Sequence, residues 1–155
     1  MKKVYPEAVF NFLGAEGNIK VSDIQEYIDD GSVNYLGTTN DVRPYLEDCS
    51  VLVLPSYREG MPMSIMEAMS VGRGIIATNV PGCKDTVEDG INGYLIEKDT
   101  MVKELKSRMV KVILDKKRVE DFSLKSREIC DNKFEQKKIN CTILNVIEQK
   151  EYNYE

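Results

Sequence analysis

Val51-Leu52-Val53-Leu54-Pro55-Ser56-Tyr57-Arg58-Glu59-Gly60-Met61-Pro62-Met63-Ser64-Ile65-Met66-Glu67 is the stretch on which the reading of this chain turns. Its first four residues are an unbroken apolar run, the pattern of a strand covered on both faces. A loop with two prolines and a glycine follows. From Ser64 to Val71 the apolar residues Ile65, Met66 and Met69 recur at helical spacing, and Gly72 stops the helix. Strand, loop and helix start is the place where open α/β sheets hold ligands.

The same alternation runs outward in both directions. Upstream, Ala8 to Leu13 reads as a strand ending at Gly14. Ser22, with Gln25 as its capping-box partner, opens a helix through Tyr27 and Ile28 that Gly31 stops. Val33 to Leu36 is a second strand closed by Gly37. Asp41 to Asp48 is a short helix that holds Pro44 in its first turn. Downstream, Gly74 to Thr78 and Gly93 to Ile96 are the fourth and fifth strands, whereas Pro81-Gly82 and Asp89-Gly90-Ile91-Asn92-Gly93 read as turns. Helices are expected over 101–115, 118–132 and 134–150, the last with Ile139, Ile143, Val146 and Ile147 as a packing stripe. The fold class is therefore α/β: a Rossmann-like parallel sheet of about five strands with helices on both faces and further helices at the C-terminal end. Residues 1–150 form one domain and 151–155 a frayed tail.

Bulk properties narrow the function. The chain has 155 residues, is 42% apolar and carries a net charge of −5. That charge argues against a general nucleic-acid binder, which needs clustered Lys and Arg. Cys49, Cys83, Cys130 and Cys141 are not spaced as CxxC, and there is no histidine to complete a zinc set. No metal is expected, and reduced, partly buried thiols are the simplest account of the cysteines. No apolar stretch approaches the ~20 residues needed to span a bilayer. With no imidazole in the chain, a His-based acid or base cannot come from it.

Glu59 and Glu67 lie eight residues apart around Gly60-Met61-Pro62. Free amides at a helix start suit a phosphate, and carboxylates suit sugar hydroxyls. A nucleotide sugar offers both groups. Each glutamate also has a plainer reading. Ser64-Ile65-Met66-Glu67 has the S-x-x-E form, so Glu67 can serve as a capping-box partner. Glu59 has no helix to cap, though loop glutamates are common on surfaces. Gly60 lets the backbone approach a ligand closely. Gly14 and Gly37 follow strands and can equally be making tight turns. Thr38, Thr39 and Asn40 suit a base or the cap of the Asp41 helix.

With these residues in place the chain resembles the retaining glycosyltransferases of the two-domain GT-B type, the large group 1 family with its E-x7-E motif. Leu36-Gly37 before Asp41-Val42, Val51 to Ser56, Glu67-Ala68-Met69, Gly72, Ile75 to Thr78 and Asp89 to Leu95 run in the family's order. The wording around Val42 to Tyr45 and Ser56 to Pro62 resembles members that build bacterial surface polysaccharides and lipid-linked oligosaccharides. The resemblance implies a C-terminal donor-binding domain, one half of a GT-B fold. Glu59 would contact the donor sugar and support its developing positive charge; Glu67 would bind the ribose. Gly60, Met61, Pro62, Met63, Ser64 and Ile65 would form the loop holding the sugar and diphosphate, with Gly37 and Thr38 near the base. The donor is a substrate, UDP-linked rather than GDP-linked on the subgroup resemblance alone, and no cofactor is implied.

The chain departs from the family pattern at its start. The family's diphosphate-clamping Arg and Lys lie on a strand–loop unit, whereas Met1-Lys2-Lys3-Val4-Tyr5-Pro6 resembles the end of the helix after that loop. The N-terminal acceptor domain is likewise not in this sequence. This chain alone is therefore expected to be inactive, since cationic groups at the leaving diphosphate are usually a large contribution. Gly74 stands where the family usually has Pro, an expected difference in local stiffness only. The full-length protein is expected in the cytoplasm, with peripheral attachment to the inner membrane face as an option. The alternatives are a UDP-sugar 2-epimerase half-domain and a non-catalytic α/β interaction module.

Overall fold

The computed structural model describes residues 1–135 together with Asn140 and Leu144. Apart from those two residues and its first two positions, the helix expected over 134–150 lies outside the described residues, as do Cys141 and the expected tail. The chain divides into two units, one over Met1–Tyr45 and one from Leu46 onward.

In the first unit β1 (Asn11–Phe12) pairs in parallel with β2 (Asn34–Tyr35), Asn11 opposite Asn34 and Phe12 opposite Tyr35. Both strands are shorter than their apolar patterns predict. A 3-10 turn over Val21–Ile24 leads into α1 (Gln25–Asp29). Ser22 caps neither: α1 follows directly on Ile24, and the cap belongs to the 3-10 turn. The cap position is Lys20, whose amide donates to the Asp23 carboxylate at 2.8 Å, and the Gln25 side chain instead donates to Asp29. α2 (Arg43–Asp48) begins two residues after Asp41. Asp41 accepts from the Arg43 amide at 3.0 Å and from its guanidinium at 2.8 Å. Those bonds hold the Asp41 carboxyl down at about 2.

The second unit is a parallel three-stranded sheet of β3 (Val51–Leu54), β4 (Gly74–Thr78) and β5 (Gly93–Ile96), in that order. The five expected strands are thus present and parallel, hydrogen-bonded as a pair and a triplet. Among the described residues up to Glu135, four helices accompany the triplet: α3 (Met63–Ser70), α4 (Pro81–Lys84), α5 (Met101–Leu114) and α6 (Lys116–Lys133). Sequence reading reduces α4 to a turn because Pro and Gly are breakers. Proline is nonetheless well suited to the first helical position, where no N–H is needed, and Pro81 occupies it.

All five residues of β4 are buried, so the sheet is covered on both faces. Ile76, Tyr94, Ile96 and Phe122 form one cluster, with Val51, Val53 and the α5 residues Met101, Leu105, Met109 and Val112 packed on it. Tyr94 and Phe122 meet edge to face at 5.1 Å between ring centroids. The Arg108 guanidinium covers Tyr94 at 4.6 Å from its ring centroid. Strand alternation puts Ile75 and Ala77 on the opposite face, where both are fully buried. Gly74 does more than set stiffness. A Cβ there would come within 3.1 Å of the Phe122 Cβ, so its bareness admits the ring. α3 ends in a Schellman arrangement: Gly72 at φ +68° donates to Met69 O, and the Arg73 amide to Ala68 O at 2.8 Å. The Gly72 carbonyl then accepts the Ser123 hydroxyl, tying α3 to α6.

Phe122→Ala should cost about 3–5 kcal/mol, whereas Leu124→Ala, two residues along at a largely exposed position, should stay within about 0.5 kcal/mol. Urea denaturation of the two variants reads both. Equal losses would mean that α6 buries a different face.

Candidate functional site

Because β3, β4 and β5 are parallel, the segments after Leu54, Thr78 and Ile96 leave the sheet at one edge. The β3–α3 connection, residues 55–62, is the longest of them. Pro62 is buried, extended at φ −74° and ψ 106°, and is the N-cap of α3. Its carbonyl accepts from the amides of Ile65 at 3.1 Å and Met66 at 3.3 Å. The helix therefore starts at Met63, one residue before the sequence signal places it. Ser64 is an interior first-turn residue, no side chain caps the helix, and the S-x-x-E capping box does not form.

Helix geometry leaves the Met63 and Ser64 amides with no carbonyl behind them. They carry the positive end of the helix dipole. Ile65 differs: its amide bonds to Pro62 and its side chain is fully buried, so its part is to anchor the helix. The Met61 and Met63 side chains are mostly exposed. Ser56 donates to the Arg58 carbonyl at 3.0 Å and shapes the loop before Glu59.

Glu59 is half-buried and Glu67 exposed. Among the described residues neither carboxylate has a hydrogen-bonding or ion-pairing partner. The Cys83 thiol of α4 feels the Glu59 charge. Burial first, and then that charge, push it up to about 11. Gly82 of α4 packs on the backbone of the same loop. A Cβ at Gly82 would fall within the Gly60 carbonyl group and 2.9 Å from the Glu59 carbonyl oxygen.

Buried hydrogen bonds brace α4 from behind. The Thr86 hydroxyl donates to the Cys83 carbonyl at 3.0 Å and reaches the Gly82 carbonyl at 3.4 Å. Asn92 donates to the Thr86 carbonyl at 3.2 Å and accepts from the Glu88 amide at 2.8 Å. At the same edge Asn79 donates to Glu97 at 2.6 Å, and the Lys98 ammonium lies 5.6 Å from the Tyr57 ring centroid.

Eight of the residues singled out by sequence thus lie together on the β3–α3 loop (Glu59, Gly60, Met61 and Pro62) and in the first turns of α3 (Met63, Ser64, Ile65 and Glu67). Gly37 and Thr38 belong to the first unit. Gly37 has φ +72° and accepts from the Gly14 amide at 2.8 Å, as a tight turn requires. Thr38 is exposed. The Thr39 hydroxyl is taken up by local bonds to Asp41. Sequence reasoning misses Gly82 and Cys83, whose importance lies in what they touch rather than in a local pattern. Among the described residues no group of three His, Cys, Asp or Glu side chains gathers to hold a metal, and no helix is long and apolar enough to cross a membrane. Cys49, Cys83 and Cys130 are free thiols.

Residues 1–115 match the family model described as glycosyl transferases group 1. The chain belongs to this family. It is 34% identical over 92 residues to the N,N'-diacetylbacillosaminyl-diphospho-undecaprenol alpha-1,3-N-acetylgalactosaminyltransferase of Campylobacter jejuni, covering 59% of this chain and 24% of that one. It is 44% identical over 62 residues to the UDP-Gal:alpha-D-GlcNAc-diphosphoundecaprenol alpha-1,3-galactosyltransferase of Escherichia coli, covering 40% of this chain and 16% of that one. Among solved structures it resembles a Staphylococcus aureus TarM variant in complex with fondaparinux, alpha-GlcNAc-glycerol and UDP. There the TM-score is 0.81 and the identity 29%, over 93% of this chain and 30% of the other. The chain thus spans a quarter or less of the two curated relatives and under a third of TarM.

Two outcomes test this geometry. Glu67→Gln should leave stability within about 0.5 kcal/mol, because its carboxylate caps nothing; a loss near 1 kcal/mol on chemical denaturation would restore the capping box. The raised Cys83 pKa favours the folded state while the thiol is protonated. That contribution is complete below the ordinary thiol value of 9.0 and is lost as pH rises through about 11. Between those pH values the denaturation midpoint should fall more steeply in the parent chain than in Cys83→Ala; parallel curves would contradict the assignment.

Proposed function

We propose that this chain is the donor-binding part of a retaining glycosyltransferase that uses a UDP-sugar and delivers the sugar to a saccharide or lipid-linked acceptor. One observation carries the reading: two carboxylates and two helix-start amides, all without partners among the described residues, lie on the β3–α3 loop and the first turns of α3. A sugar diphosphate is complementary to that set, with hydroxyls for the carboxylates and phosphate oxygens for the amides.

In this reading the Met63 and Ser64 amides face the diphosphate, and the α3 dipole stabilises the negative charge that builds on it as the sugar departs. Glu59 faces the sugar, where a fixed carboxylate stabilises the positive charge developing at the anomeric carbon. Glu67, further along the helix and open to water, accepts from ribose hydroxyls. Gly60, Met61 and Pro62 shape the bend between these groups. Transfer proceeds with retention at the anomeric carbon, and no metal or cofactor takes part.

The choice of UDP is supported by a relative named for UDP-Gal and by a structural neighbour solved with UDP. A lipid-linked acceptor is supported by two relatives named for diphosphoundecaprenol-linked saccharides. In this reading the full-length enzyme is cytoplasmic and attaches peripherally to the inner membrane face. Because the chain spans so little of those relatives, the acceptor site and the rest of the diphosphate clamp are assigned to further polypeptide, and residues 1–155 alone are inactive.

In the full-length protein Glu59→Gln should lower turnover about 10²–10³-fold while leaving the fold intact. Near-normal turnover would favour the interaction-module reading. Isothermal titration should show UDP binding more tightly than GDP, and GDP binding without UDP binding would overturn the nucleotide assignment.

A further inference from the structure

Pro81-Gly82 reads in the sequence as a turn, and the proposed chemistry gives it no part. The structure places it in contact with the backbone that carries Glu59. We propose that Gly82 is a positioning residue: its missing side chain lets the Glu59–Gly60 peptide seat against α4, and that seat sets where the Glu59 carboxylate points. The proposal rests on the donor-loop reading given above and names the element that holds the loop in place.

The geometric requirement is strict. A Cβ at Gly82 would occupy the Gly60 carbonyl and stand 2.9 Å from the Glu59 carbonyl oxygen. These are main-chain atoms, so no side-chain rotation relieves the overlap. Either the loop or α4 must move. Backbone conformation does not explain the glycine, since Gly82 is not among the positive-φ residues. Gly60, by contrast, has open space where a Cβ would sit. The constraint is therefore one-sided, imposed by α4 upon the loop.

α4 is the firmer partner. Gly82 and Cys83 are buried. The Cys83 and Lys84 amides both donate to the Val80 carbonyl at 3.0 Å. Thr86, fully buried, holds the Cys83 carbonyl, and Asn92, also fully buried, holds Thr86 in turn. The Ser126 hydroxyl of α6 reaches the Asn92 carbonyl at 3.3 Å. A continuous line of buried polar groups thus connects α6 to the seat under the loop. A side chain added at position 82 displaces the loop rather than the brace, and displacement near 1 Å is enough to cost a large part of a rate.

The test uses full-length protein and a second, activity-independent readout. Gly82→Ala should lower kcat by about 10²-fold, with UDP affinity changed far less, because free UDP lacks the sugar that Glu59 faces. Thr86→Val keeps the volume and removes the hydroxyl, and it should lower kcat in the same sense by a smaller factor. It decides the matter should Gly82→Ala fail to fold. Peptide-mapped alkylation reports the position of the loop directly: in Gly82→Ala, Cys83 should react faster while Cys130 reacts as in the parent protein. Folded Gly82→Ala with kcat within about twofold of the parent and unchanged Cys83 labelling overturns the proposal, as does, where Gly82→Ala does not fold, Thr86→Val with parental kcat. Faster Cys83 labelling in Gly82→Ala, where the parent protein itself transfers no sugar, keeps the seat and removes the donor-loop reading instead.

Discussion

An α-helix cannot pair its own first amides, and the site depends on where that unfinished turn falls. Pro62 fixes the place. It is buried and extended, it has no N–H to lose, and its carbonyl takes the amides of Ile65 and Met66. Met63 and Ser64 are left as donors at the sheet edge. Had the helix begun at Ser64 with a capping box, Ser64 Oγ would have satisfied one amide and Glu67 would have turned back towards the backbone. The actual start leaves Ser64, Met63 and Glu67 available to a ligand.

That start is held by packing on two sides. Behind it, Ile65, Ala68 and Met69 are fully buried. At the far end of α3, Gly72 turns the chain into β4 and receives the Ser123 hydroxyl of α6. The Arg127 guanidinium donates to the Ser70 carbonyl, so α6 takes up the exposed end of α3 twice over. β4, buried along its whole length, leads through Asn79 and Val80 into α4, whose Cys83 and Lys84 amides bond to the Val80 carbonyl. The loop that bears Glu59 runs between the start of α3 and α4, the latter braced by Thr86 and Asn92. A flexible surface loop would bring the same residues without the preorganisation that electrostatic stabilisation of a charged transition state needs.

Much of this is legible in the sequence because it rests on patterns of one or two turns. The apolar runs at Val51, Gly74 and Gly93 give three strands with bounds that match. The helical spacing of Ile65 and Met69 gives α3, and Glu59 stands out because it has no helix to cap, whereas Glu67 fits a capping box that only the structure removes. Short strands are less legible. Asn11–Phe12 and Asn34–Tyr35 are two-residue ladders, and apolar flanks such as Val9 and Leu36 lengthen them on paper although their side chains are exposed. Caps are ambiguous in the sequence where two signals compete, at Ser22 against Lys20 and at Ser64 against Pro62. Contacts between distant segments leave no local mark. Gly74 against Phe122 and Gly82 against Gly60 look like ordinary punctuation until the chain is folded.

Amide hydrogen exchange on the full-length protein, with and without a UDP-hexose, tests the central claim most directly. The account predicts that the donor slows exchange at Gly60, Met61, Met63 and Ser64, with little change at Ile65 and Met66, whose amides are already bonded to Pro62. Slowing confined to other segments, with residues 60–64 unaffected by saturating donor, would contradict it.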